Sequence, residues 1–145
     1  LWMVGPVLER LLGIGRFVSL YVLTAIAGSV GYLLLASPTS ATWVTIVPGA
    51  SGAIFGLFGA FMVVLRRFDS SSTQLYAVIG INFALGFILP GIAWQAHLGG
   101  FVVGVIMGAG YAYAPRERRT PWAFAIPVLT AAVLAAATIV KYAAV

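Results

Sequence analysis

The chain is a series of apolar runs separated by short charged or proline-rich breaks. Phe17–Ala36 supplies twenty largely apolar residues, enough to cross a hydrocarbon core of about 30 Å as a helix rising ~1.5 Å per residue. Ser51–Leu65, Leu75–Leu89, Ala96–Tyr113 and residues 121–140 form four more runs, the last an additional C-terminal span. Leu1–Leu8 reads as the tail of a helix that the chain enters part-way, ended by "ERLLGIGR". None of these runs alternates apolar and polar residues as a barrel strand does. The pattern predicts an all-α, polytopic transmembrane helical bundle with a partial helix followed by five further spans. It forms one domain over 1–145, N-terminally incomplete, with no soluble domain and no repeat.

Composition strengthens this reading. Hydrophobic residues make up 62% of the chain, charged residues 8%, and the mean hydropathy is +1.08. A soluble domain carries about 25% charged residues. There is no cysteine, which excludes disulfides, thiolate metal sites and cysteine nucleophiles. The net charge of +5 gains meaning from its placement. Following the runs one by one, Arg10 and Arg16 fall in the first loop, Arg66 and Arg67 in the third, and Arg116, Arg118 and Arg119 in the fifth. All seven arginines thus share one side, which the positive-inside rule makes cytoplasmic. The expected location is a bacterial inner membrane. "PRERR" is then a topology signal, and no nucleic-acid partner is expected.

Two residues are out of keeping with the apolar spans. His97 is the single histidine of the chain, and ionisable groups within membrane segments are costly and usually functional. Ser51 opens the run "SGAIFGLFGA". Both begin spans on the side opposite the arginines. A run of 15 residues from Ser51 to Leu65 gives about 22 Å of helix, so Ser51 is expected several Å below the outer surface. Small residues recur at four-residue spacing as Gly52, Gly56 and Ala60, and as Ala96, Gly100, Gly104 and Gly108. Such stripes let helix backbones approach closely. If they face each other, Ser51 and His97 come within reach as nucleophile and general base. The free amides at the start of the Ser51 helix would face a developing oxyanion. The three acids, Glu9, Asp69 and Glu117, are all expected on the arginine side, so a Ser–His dyad is expected rather than a triad.

The same residues carry plainer readings. The glycine-rich stretch can be a packing seam alone, and His97 can be a proton relay in a small transporter. Asn82 is expected to make an interhelical hydrogen bond. Phe55, one turn after Ser51, is core or flanks the imidazole. Glu9 and Arg10 close a cytoplasmic helix end.

"GASGAIFGLFGA" and "AHLGGFVVGVIMG", together with "LWMVGPVLERLLGIGRFVSLYVL", resemble the rhomboid intramembrane serine proteases over roughly Leu1–Tyr113. The resemblance makes the first segment the family's second helix. It places the nucleophile on Ser51 and the base on His97, with Gly49 and Gly52 on the motif glycines that support the oxyanion. Phe55 takes the place of an aromatic packed against the histidine, and Gly100 and Gly104 the small positions after it. The implied substrates are single-pass transmembrane proteins in a lipid bilayer, cut without metal or organic cofactor at a site opening to the extracytoplasmic side. The family's further oxyanion residues, a His and an Asn, would fall just upstream of Leu1. An inactive, rhomboid-like binder of membrane helices is the alternative.

Overall fold

Gly13 divides the first helical segment in two. In the computed structural model, which describes residues 4–39, 43, 49–68, 70, 72–89 and 91–144, α1 (Gly5–Leu12) stops where Gly13 takes φ +82° and its N–H bonds to the Glu9 carbonyl at 2.8 Å. A left-handed φ favours glycine. The charged pair "ER" therefore lies in the last turn of α1 and does not end it. The remaining helices are α2 (Ile14–Leu35), α3 (Ala50–Arg67), α4 (Thr73–Ile88), α5 (Trp94–Ala112) and α6 (Arg119–Ala143). No strand occurs among the described residues.

Each long helix begins before the bound read from hydropathy, and α3 and α6 also end beyond it, because a helix does not stop at its first polar residue. α3 has 18 residues, three more than its apolar run, or about 27 Å. That length nearly matches the hydrocarbon core, so shortness no longer sinks Ser51 beneath the outer surface. By length and composition, α2, α3 and residues 120–143 of α6 can each cross a membrane. α4, with 16 residues, is shorter. α5 carries Gln95 and His97 in its first turn and five glycines along its length. It tolerates them by lying among α2, α3 and α6, against which it packs.

The core is the triangle of α2, α3 and α5, with α6 outside α2 and α5 and α4 touching only the edge of α3 and α5. Leu8, Leu20, Leu57, Val64, Met107 and Tyr111 form its main apolar cluster. At one end, the Ser19 hydroxyl and Tyr111 hydroxyl are hydrogen-bonded at 2.9 Å. Arg16 lies 6.0 Å from the Tyr111 ring centre and Arg67 lies 5.6 Å from that of Tyr113. The start of α2 and the ends of α3 and α5 thus meet at an arginine-bearing end, as the charge pattern requires. At the other end, Lys141 donates to the carbonyls of Leu34 (3.1 Å) and Ala36 (3.0 Å). A cation there complements the negative end of α2.

Candidate active site

The two glycine stripes face each other in strict register. A Cβ on Gly100 would collide with the Gly52 carbonyl and one on Gly104 with the Gly56 carbonyl. One on Gly108 would fall 2.6 Å from the Ala60 Cα. Backbone thus lies on backbone for two full turns of α3 and α5, the arrangement that small residues at four-residue spacing permit.

A third helix takes part, whose small-residue flank had not been singled out. On α2, a Cβ at Gly28 would sit 2.9 Å from the Gly52 Cα and 3.1 Å from the Ala96 carbonyl. Gly49, too, is a close-approach position, since a Cβ there would meet the Ala25 carbonyl at 2.8 Å. Thr24 is fully buried and turns its hydroxyl back to the Leu20 carbonyl at 2.7 Å. Its side chain fills the space left by the missing Cβ of Gly56. The legible signal was "TAIAGSVG", with Thr24, Gly28 and Gly31 along one flank of α2.

This seam fixes the level of the candidate pair. Ser51 precedes Gly52, and His97 lies one turn before Gly100, so both belong to the first turns of adjoining helices. Ser51 is half-buried. His97 is 8% exposed. Its ring stacks on Phe55 with centroids 4.1 Å apart and planes 11° from parallel. Phe55 is itself one turn from Ser51, so the ring that orients the imidazole is carried by the serine's own helix. Phe83 of α4 completes the aromatic wall, edge-on to Phe55 at 4.8 Å and to His97 at 6.4 Å. It was not read from the sequence, because its neighbour Asn82 drew attention as the polar residue of that run.

Asn82 itself differs from expectation. It is exposed, and its amide donates to the Val78 carbonyl of its own helix at 2.8 Å. A polar side chain facing away from the bundle satisfies itself locally.

The Nδ1 atom of His97 is buried without a hydrogen-bond partner, and among the described residues no hydrogen bond joins Ser51 to His97. Glu9 lies on α1 and Glu117 in the short 3₁₀ turn Arg116–Arg118, next to the arginine end. Asp69 lies outside the described residues. Among the described residues no group of three or more His, Asp or Glu side chains is assembled for a metal ion. In α3 the first helical bond described runs from the Ala53 amide to the Gly49 carbonyl at 3.0 Å. The amides of Ala50, Ser51 and Gly52 belong to the end of the helix that carries free donors and positive dipole.

The Rhomboid domain family model matches residues 1–114. Rhomboid protease GluP of Bacillus subtilis is 34% identical over 114 residues, covering 75% of this chain and 21% of the relative. RHOMBOID-like protein 1 of Arabidopsis thaliana is 33% identical, covering 86% of this chain and 33% of the relative. The putative rhomboid protease YdcA of Bacillus subtilis is 34% identical, covering 74% and 54%. The chain therefore spans between about a fifth and about half of these relatives. No solved structure gives a significant match. With the family model covering both α3 and α5, the chain belongs to the rhomboid family.

Proposed function

We propose that the full-length protein is an intramembrane serine endopeptidase in which Ser51 is the nucleophile and His97 the general base. The observation that supports this most is the backbone seam between Gly52 and Gly100, with the His97 ring stacked one turn from Ser51 on Phe55. The names of two relatives, GluP and YdcA, point the same way.

In this reading the Ser51 oxygen attacks a peptide carbonyl and the imidazole takes its proton. The same imidazole then returns the proton to the leaving amine. Stacking on Phe55 restricts ring rotation, so the imidazole needs no carboxylate to hold its plane. The free amides at the start of α3 stabilise the oxyanion. Substrates are single-pass membrane proteins, entering from the bilayer and cut on the extracytoplasmic side of an inner membrane.

The test is labelling of the full-length protein by a fluorophosphonate. Ser51 is expected to be modified, Ser51→Ala to abolish labelling, and His97→Ala to slow it by roughly 10²–10⁴-fold, the range of general-base catalysis. Labelling that survives Ser51→Ala overturns the assignment.

A further inference from the structure

The single lysine of the chain is out of place. The arginines share one side by the order of the spans, yet Lys141 stands in the last turn of α6, at the opposite end. The positive-inside rule disfavours a cation there. A lysine at the end of a span ordinarily reaches outward to headgroups or water. Lys141 reaches sideways. It donates to the Leu34 carbonyl at 3.1 Å and to the Ala36 carbonyl at 3.0 Å, both at the end of α2. The letters explain the first of these bonds. A helix continuing past Leu35 would satisfy the Leu34 carbonyl from the amide four places on. That position is Pro38, which has no N–H. Lys141 supplies the missing donor from another helix. Its ammonium also stands 5.8 Å from the centre of the Trp43 ring, within the ~6 Å reach of a cation–π contact. Tyr142, the next residue of α6, meets the same ring edge-on at 5.6 Å.

Trp43 lies in the connection from α2 to α3. That connection is therefore held at Ala36 and Trp43 by α6, and at Gly49 by α2, where a Cβ would meet the Ala25 carbonyl. Gly49 caps α3, and Ser51 follows two residues later. α6 lies beyond the residues that the Rhomboid model matches. Along its length it meets α2 through apolar contact of Leu134 with Ala27 and Val30. In lipid such contact has no hydrophobic driving force behind it, whereas a charged donor on two carbonyls fixes one helix end against the other.

We infer that Lys141 is a positioning residue. It clasps the end of α6 to the end of α2 and to Trp43, and so steadies the connection that enters α3 just before Ser51. The clasp stands on the contacts of α6 alone, and its consequence at Ser51 rests on the role proposed for that serine.

Hydrogen–deuterium exchange of the full-length protein tests the clasp, read in the peptide that carries Leu34 and Ala36. Lys141→Met keeps the stem and removes the donors. It should speed exchange there about tenfold to a hundredfold, the worth of hydrogen bonds to a charged group, and leave the peptide carrying Ser19 unchanged. Lys141→Arg retains charge and donors, and should return exchange most of the way to the parent rate. Trp43→Leu spares both carbonyl bonds and should speed exchange by about two- to thirtyfold, the worth of a cation–π contact. It decides the matter if Lys141→Met does not fold. Fluorophosphonate labelling of Ser51 should slow in Lys141→Met, by at most the ~10²-fold that an ångström of misplacement costs, and recover in Lys141→Arg. Lost packing alone would not be restored by a cation. Unchanged exchange in Lys141→Met or Trp43→Leu, no restoration by arginine, or an unchanged labelling rate in Lys141→Met each overturns the inference. A parent protein that is not labelled at all overturns the role of Ser51 instead, and exchange still decides the clasp.

Discussion

α3 meets two neighbours in opposite ways. Against α5 it lays backbone on backbone, with Gly52, Gly56 and Ala60 opposite Gly100, Gly104 and Gly108 and no side chain larger than the Ala60 methyl between them. Against α4 it offers the single ring of Phe55 to the single ring of Phe83, and most of α4 faces outward. His97 is placed by both contacts: its backbone level by the first, its aromatic surroundings partly by the second. A site built this way has one rigid wall and one lightly attached wall. Rigid elements hold reacting groups more accurately than mobile ones.

The contrast can be broken from the rigid side first. Gly100→Leu puts a branched side chain into the Gly52 carbonyl. Overpacking of a tight interior costs about 1–3 kcal/mol and occasionally more. Here the obstacle is backbone, so a loss at or above the top of that range is expected. Thermal unfolding in detergent measures it, together with loss of fluorophosphonate labelling. An unchanged melting temperature would contradict the seam. Phe83→Ala comes next. It removes an edge-to-face pair worth ~0.5–1.5 kcal/mol beyond the buried area, so a modest fall in melting temperature is expected. The labelling rate should change by more than stability does, because the ring borders His97. Smallest of all is Gly80→Ala on α4. A Cβ there meets nothing within 4 Å, and alanine favours a helix over glycine by ~0.8–1.0 kcal/mol. That substitution should leave stability equal or slightly higher. The same glycine-to-larger change thus runs from severe to neutral across two helices, and a uniform response would refute the division.

Much of this was legible in the letters. Glycines every fourth residue named both faces of the α3–α5 contact, because only small residues allow such an approach. Seven arginines on alternate loops set the direction of each helix, and the shared end of Arg16 and Arg67 agrees. Helix ends were harder. Arg66 and Arg67 are polar yet remain helical, since hydropathy follows the solvent and helix bounds follow the backbone. The α2 flank stayed hidden because Thr24, Gly28 and Gly31 sit in a long apolar run whose length alone had explained it. Phe83 was hidden for a different reason. An aromatic residue in a membrane helix carries no sign of which neighbour it touches, while Asn82 beside it advertised a polarity that the fold spends within its own helix.

The three facing pairs of the α3–α5 seam each join positions 48 residues apart in the chain, 52 with 100, 56 with 104 and 60 with 108. The pairing works as a gauge that counts helical turns and ignores whatever lies between. Residues added to the link after α3 would lengthen the path from Ser51 to His97 without moving either. One residue added between Gly52 and Gly56 would turn Ser51 about 100° around the α3 axis and carry it off the face that meets α5. Sequence drift is therefore cheap in the connection between these helices and costly within their first two turns.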